Sequence, residues 1–293
     1  MTKNINKIAV LINTRGRPAE VSLLLQSLRT QIVQNFDIFI IDDAGENPLE
    51  SFHFYNCMIN RLKVEDHLVF IYRNSFSSGV SKARQQIVDW SWNLGYEYFL
   101  RVDDDIVLES DYIERLQKVL EKGYDFASGV TVPMLNPSMK RNPDILKKII
   151  NRVVLDDKGN YIYNGDDCGI EYTKSKILPC HHFRSCGLYK AKIHKKANYL
   201  PTKLSMHGFR EEQIFSYKIL MAGFTMGVDT KAINYHQMTP VGGERQYTNF
   251  VSFNQEMLEQ FTKENKDKLP KEFFENPFSD SELNKTTNLK KIS

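Results

Sequence analysis

The run Tyr98-Phe99-Leu100-Arg101-Val102-Asp103-Asp104-Asp105 constrains this chain more than any other stretch. Its aromatic and aliphatic part has the length and composition of a buried strand, and it stops in three consecutive carboxylates, so the strand must deliver its end to a polar rim. Open α/β sheets place their ligands at that rim. Adjacent carboxylates repel one another and are costly to desolvate unpaired, so a divalent cation is the partner that keeps all three charged. Hard oxygen ligands select magnesium, manganese or calcium. Two other readings stay open on the residues alone: an acidic turn with solvated side chains, and an N-cap cluster feeding the helix after Ser110.

The segments before this strand have the same construction. Lys7 to Asn13 is an apolar run typical of a buried parallel strand, followed by Thr14-Arg15-Gly16-Arg17-Pro18. Pro18 suits a first helical position, and Val21, Leu24, Leu25 and Leu28 recur at helical spacing up to about Thr30. Phe36 to Ile41 is a second strand, and it too ends in acid, at Asp42 and Asp43. His67 to Tyr72 is a third strand, Arg73 to Gly79 a loop and Val80 to Asn93 a helix that Gly95 closes. Asp111-Tyr112-Ile113-Glu114 has capping-box spacing, with Leu116, Val119 and Leu120 as the apolar face and Gly123 as the stop. Asp125 to Val132 is another strand. Strands alternating with helices from Lys7 to Val132 predict a mostly parallel, doubly wound sheet.

From Pro133 to Pro179 the pattern loosens. Asn142-Pro143-Asp144 reads as the start of a short helix through Arg152, with Ile145, Ile149 and Ile150 inward and Lys147, Lys148 and Arg152 as a solvated basic face. Tyr161 to Tyr163 reads as a hairpin strand and Phe183 to Lys190 as a returning strand. Phe209 to Gly223 is the clearest late helix, opened by Glu211 and Glu212. Phe224 to Asp229 and Ala232 to Tyr235 read as two short strands leading to His236. The loop after it, with Gly242-Gly243, is a candidate lid. Phe253, Met257, Leu258 and Phe261 mark an amphipathic helix, and Phe278 to Ser293 a frayed tail. The expected division is 1–240 with halves 1–132 and 133–240, then an extension over 241–293.

The net charge of +3, from 39 basic and 36 acidic residues, leaves no field for general nucleic-acid binding. Cys57, Cys168, Cys180 and Cys186 are too scattered for a disulfide framework, no leader pattern opens the sequence, and no apolar run approaches membrane-spanning length. A cytoplasmic protein with at most peripheral contact at the inner face of a membrane is expected. Cys168, Cys180, His181, His182 and Cys186 lack the paired spacing of a zinc site and read as buried or unpaired thiols.

Ala9 to Pro18, Ile41-Asp42-Asp43-Ala44-Gly45, Arg73-Asn74 with Gly79 and Ala83-Arg84, Arg101 to Asp105, and Phe209-Arg210-Glu211-Glu212 resemble, in order, the motifs of family 2 glycosyltransferases. The resemblance runs from about Lys7 to His236, with the middle segment unmatched. It implies a GT-A fold: Rossmann-like, with a mostly parallel central sheet flanked by helices, here with a short helical C-terminal extension. It also implies metal-dependent, inverting transfer of a sugar from a nucleotide-sugar donor, UDP-linked, to a hydroxyl on a glycan, lipid-linked or peptide acceptor in bacterial or phage glycan synthesis.

By the same resemblance Asp43, beside Asp42, receives the nucleotide base, with Thr14 and Arg15 nearby. Asp103, with Asp104 beside it, lies near the ribose and the metal, and Asp105 holds a manganese or magnesium ion whose shell His236 completes. Such a metal neutralises the departing nucleoside diphosphate. Arg84 is the leading candidate for a diphosphate contact, ahead of Arg15, Lys82 and Arg245. The base that takes the acceptor proton maps to Glu212, with Glu211 as the alternative, since Glu-Glu stands where Glu-Asp is usual. Two rival classes remain: a two-metal nucleotidyltransferase, against which the missing glycine-rich loop after the first strand counts, and a binding module without turnover.

Overall fold

The computed structural model describes residues 7–134, 146–149, 152–155, 161–164, 169–172, 177–199, 204–239 and 250–269. Its centre is β1 (Ile8–Thr14), which pairs in parallel with β2 (Phe36–Asp42) on one side and β4 (Tyr98–Asp103) on the other. Buried on both faces, β1 splits its side chains by the period of two. Ile8, Val10 and Ile12 join one apolar cluster, and Ala9 and Leu11 join the other. The first cluster packs under α1 (Pro18–Arg29), α2 (His53–Val64) and α4 (Tyr112–Glu121); the second packs under α3 (Val80–Asn93) and α5 (Glu211–Met221). Helices on both faces make the sheet doubly wound, as the alternation of elements predicts.

The sheet runs β11-β13-β6-β12-β4-β1-β2-β3, with β3 (Val69–Arg73) at one edge and β11 (Ile177–Pro179) at the other. Between them β6 (Phe126–Pro133) lies parallel to β13 (Met226–His236), while β12 (Gly187–Lys190) is antiparallel to both β4 and β6. A short β5 (Ile106–Leu108) returns from the acidic turn to pair with the end of β13. The register aligns Thr14 with Asp42 and Asn13 with Asp103, so the polar ends of three adjacent strands stand level at one rim.

Several expectations need correction. The helix read over 142–152 is replaced by β7 (Leu146–Ile149) and β8 (Arg152–Leu155). These pair antiparallel with β10 (Gly169–Tyr172) and β9 (Tyr161–Asn164), so cross-strand partners override an apparent helical spacing. The strand read at Tyr161 is β9. The two short strands before His236 are a single β13 whose register slips against β6 between Val228 and Ile233. Asp111 does not cap α4 through its side chain but accepts from Arg115 Nε at 2.6 Å. The returning strand is confined to Gly187–Lys190, and α2 and β5 had no clear periodic signal. In α6 (Phe250–Glu264), Leu258 is buried and Phe261 packs against the second cluster, but Phe253 is exposed. The Gly242-Gly243 loop, Arg245, Cys168 and the tail lie outside the described residues. Among the described residues no helix is long and apolar enough to cross a membrane.

Candidate active site

One cavity opens at the rim where β1, β2, β4 and β13 end, and the start of α5 closes its far side. Thr14, Arg15, Asp43, Arg84, Asp103, Asp104, Asp105, Glu211, Glu212 and His236, all named from the sequence, line it. Asp42 does not. Its carboxylate is buried beneath the rim, where it pairs with Arg73 and accepts from Gly45 N at 3.1 Å. Lys82 is exposed on α3 and also lies outside the lining.

Asp43 reaches the cavity with both oxygens already engaged. They accept from Asn74 Nδ2 at 2.6 Å, Ser77 Oγ at 2.9 Å, Ser78 N and Oγ at 2.9 Å and Gly79 N at 3.0 Å. A carboxylate offers about four lone-pair sites, so this one is saturated by the loop between β3 and α3. Burial pushes its carboxyl up, but the donations from Asn74, Ser78 and Ser77 outweigh that and leave it below the usual carboxylate range. Asp43 fastens this loop to the rim of β2.

The three acids at the end of β4 face different partners. Asp103 turns toward α3 and the sheet, where Arg84 binds it and Arg101 Nη2 approaches to 3.3 Å. Asp104 accepts from Arg17 Nη1 at 2.9 Å; its burial pushes the carboxyl up against the pull of Arg17. Asp105 faces His236, whose Nε2 lies 3.1 Å from Oδ1, while Arg17 sits 3.3 Å from Oδ2. Burial pushes Asp105 up, yet His236 and Arg17 bring it below its ordinary value; His236 in turn is raised, because Asp105 outweighs the effect of its burial.

Among the described residues no three His, Cys, Asp or Glu side chains converge as a ready metal cluster. Asp105 and His236 nevertheless offer the donor chemistry such an ion takes, a carboxylate oxygen and an imidazole nitrogen, and magnesium-type sites need only one or two carboxylates beside substrate phosphates and water. Asp105 and His236 would be the protein's share of such a shell, whereas the Asp103 carboxylate is engaged by Arg84 and Arg101.

The two acids opening α5 separate cleanly. Glu211 is 3% exposed and pairs with Arg101, itself 2% exposed, and with Arg84 Nε at 3.4 Å. Burial pushes its carboxyl up, opposed by the two guanidiniums. Glu212 is half-buried and borders the cavity; its carbonyl accepts from Ser216 Oγ at 2.6 Å, while its carboxylate makes no hydrogen bond or ion pair to a described residue. Arg210, just before them, adopts the left-handed conformation at φ 75° and donates from Nε to Gln255 Oε1 of α6 at 3.0 Å. The helix that carries the acids is thus pinned from both sides.

Sequence reasoning missed Asn13, Arg17, Arg101, Arg184, Ser185 and His207, which also line the cavity. Arg101 had a signal in retrospect: a charged residue inside an apolar strand must find a buried partner. Arg184 falls inside the returning strand read over Phe183 to Lys190, which the structure confines to Gly187–Lys190, and His207 sits in a segment without periodicity.

Residues 9–136 match the family model described as Glycosyl transferase family 2, which bears out the resemblance read from the motifs. No curated protein is matched by sequence. Among solved structures, the mannosyltransferase PcManGT from Pyrobaculum calidifontis, in complex with GDP-Man and Mn2+, matches with a TM-score of 0.58 at 13% identity, over 93% of this chain and 66% of that one. S. aureus TarS 1-349 in complex with UDP-GlcNAc matches with a TM-score of 0.54 at 15% identity, over 84% of this chain and 61% of that one. GalNAc-T7 with UDP, GalNAc and Mn2+ matches with a TM-score of 0.52 at 13% identity, over 80% and 44%. The chain spans 37% of the length of S. aureus TarS and 61% of the length of its 1-349 form with UDP-GlcNAc. The fold is that of the GT-A glycosyltransferases, and residues 9–136 carry the family 2 pattern.

Proposed function

We propose that this protein is an inverting glycosyltransferase that moves a hexosyl group from a nucleotide-sugar to an acceptor hydroxyl, with a divalent cation. The observation that carries the reading is the division of labour at α5. Glu211 is spent on a buried ion pair, and the carboxylate of Glu212 borders the cavity with no partner among the described residues. A carboxylate in that position can take the proton of an acceptor hydroxyl as it attacks the anomeric carbon. Glu211, Arg101 and Arg84 hold the first turn of α5 against β4, so Glu212 is the base and Glu211 its support.

Asp105 and His236 hold manganese or magnesium in this reading, and the ion supplies charge neutralisation for the departing diphosphate. Thr14, Arg15 and the loop fastened by Asp43 bound the donor end. Residues 1–132 form the donor half and 133–240 the acceptor half. A UDP-linked donor is the first choice: TarS 1-349 is described with UDP-GlcNAc and GalNAc-T7 with UDP and Mn2+, whereas PcManGT is described with GDP-Man. The acceptor class is a glycan, lipid-linked or peptide hydroxyl, presented on the cytoplasmic side, in bacterial or phage glycan synthesis.

The test is thermal unfolding against UDP- and GDP-sugars and nucleoside triphosphates, with and without manganese, because a ligand of the folded state stabilises it by about 2.7 kcal/mol at a hundredfold excess over Kd and so raises its melting temperature. A manganese-dependent rise with one nucleotide-sugar, lost in Asp105→Ala, is expected. A rise with triphosphates alone, accompanied by pyrophosphate release, would replace this reading with a nucleotidyltransferase.

A further inference from the structure

Arg15, Arg17, Arg84, Arg101 and Arg184 all line the cavity. Arg17 is matched to Asp104 and Asp105, and Arg84 and Arg101 share Asp103 and Glu211. The guanidinium of Arg184, by contrast, makes no hydrogen bond or ion pair with a described residue, although the side chain is partly buried. A partly desolvated cation without a counter-charge is unfavourable, so a site that keeps one is arranged for an anion that arrives from outside.

The backbone around it is firmly set. Phe183 N donates to Ser216 Oγ of α5 at 3.5 Å, and the Arg184 carbonyl accepts from Thr131 Oγ1 of β6 at 3.1 Å and from Cys186 N at 2.6 Å. Ser185 is buried in the left-handed region at φ 57°, a conformation a non-glycine residue holds only where its surroundings enforce it. The Phe183 ring stacks under Arg101, 4.8 Å from its guanidinium carbon. Arg184 is therefore presented from a rigid segment braced on both α5 and the sheet. Arg184 and His236 both line the same cavity.

We propose that Arg184 binds the β-phosphate of the nucleoside diphosphate and neutralises the charge it gains as leaving group. This rests on the glycosyltransferase reading above. In the transfer, the acceptor oxygen forms its bond to the anomeric carbon while the bond from that carbon to the β-phosphate oxygen breaks. The bonding pair stays on the phosphate oxygen beside Arg184, and the acceptor proton passes to Glu212. A guanidinium suits this role because its planar fork matches phosphate oxygens and stays charged throughout.

The experiment titrates UDP and UMP, and in parallel GDP and GMP, with manganese present, into wild type, Arg184→Gln and Arg184→Lys, and measures transfer for each. In Arg184→Gln the diphosphate affinity falls tenfold or more while monophosphate affinity is unchanged, and kcat falls about a hundredfold, as for loss of one preorganised donor to a developing anion. Arg184→Lys recovers part of both, and all three proteins melt together because the side chain has no hydrogen-bond or ion-pair partner among the described residues to lose. An unchanged ratio of diphosphate to monophosphate affinity in Arg184→Gln overturns the proposal, including the case where only the acceptor KM rises, which would assign Arg184 to the acceptor. Failure of wild type to bind either diphosphate would remove the glycosyltransferase reading and this proposal with it.

Discussion

Glutamine at position 211 and glutamine at position 212 should damage this protein in opposite ways. Glu211→Gln keeps the shape of the side chain but removes the charge that compensates Arg101, a guanidinium 2% exposed in the middle of β4. Breaking a buried ion pair from one side costs about 3–5 kcal/mol. Arg101 still has Asp103 at 3.3 Å, so the cost falls at the lower end, about 3 kcal/mol. At about 2–4 °C per kcal/mol for a domain of this size, the melting temperature drops by about 6–12 °C. Glu212→Gln disturbs no described contact, so its stability stays within about 0.5 kcal/mol of wild type while transfer is lost. The assay pairs a melting curve with initial rates at saturating donor. A third protein, Arg101→Met with Glu211→Met, recovers most of the lost stability, since apolar replacement of a whole buried pair is often neutral or favourable. If Glu211→Gln melts with wild type, or Glu212→Gln transfers sugar normally, the separation of support from base is wrong.

Asp43→Asn loosens the Asn74–Gly79 loop, seen as faster amide exchange at Ser78 and Gly79, whose N–H groups donate to this carboxylate. Because the folded carboxyl lies below its unfolded value of about 3.9, its stabilisation is present above that pH and lost as pH falls through the folded value. The gap in melting temperature between wild type and Asp43→Asn therefore closes in acid; a gap that widens below about pH 4 would contradict the assignment. Gly129→Ala places a methyl 2.2 Å from the Ala232 carbonyl oxygen and 2.7 Å from the Tyr112 ring, where β6 passes β13 and α4. Backbone cannot yield as a side-chain tip can, so about 1–3 kcal/mol is lost, measured by urea unfolding; a wild-type midpoint would show that the strands part freely.

Some of this protein was legible because the governing forces are local. The apolar runs of β1, β2 and β4 declare buried parallel strands, and their termination in Asp42-Asp43 and Asp103-Asp104-Asp105 declares a common rim. Helix α3 has the bounds its periodicity and flanking Gly79 and Gly95 mark. Where a strand's partner is distant, local spacing misled: Leu146–Ile149 and Arg152–Leu155 look helical until β10 and β9 supply their hydrogen bonds.

The sequence by itself determined the class of fold, the acidic rim and the candidates Asp105, His236, Glu211 and Glu212. It left undecided which acid of α5 enters a buried ion pair and which keeps its carboxylate unengaged among the described residues. That choice belongs to Arg101, which meets Glu211 across 110 residues of chain. Tertiary structure also turned Asp103 toward arginines, committed Asp43 to the loop between β3 and α3 and, among the described residues, left Arg184 without a carboxylate. Charge pairing acts through space over a few ångströms, and only the closed fold says which charges come that near.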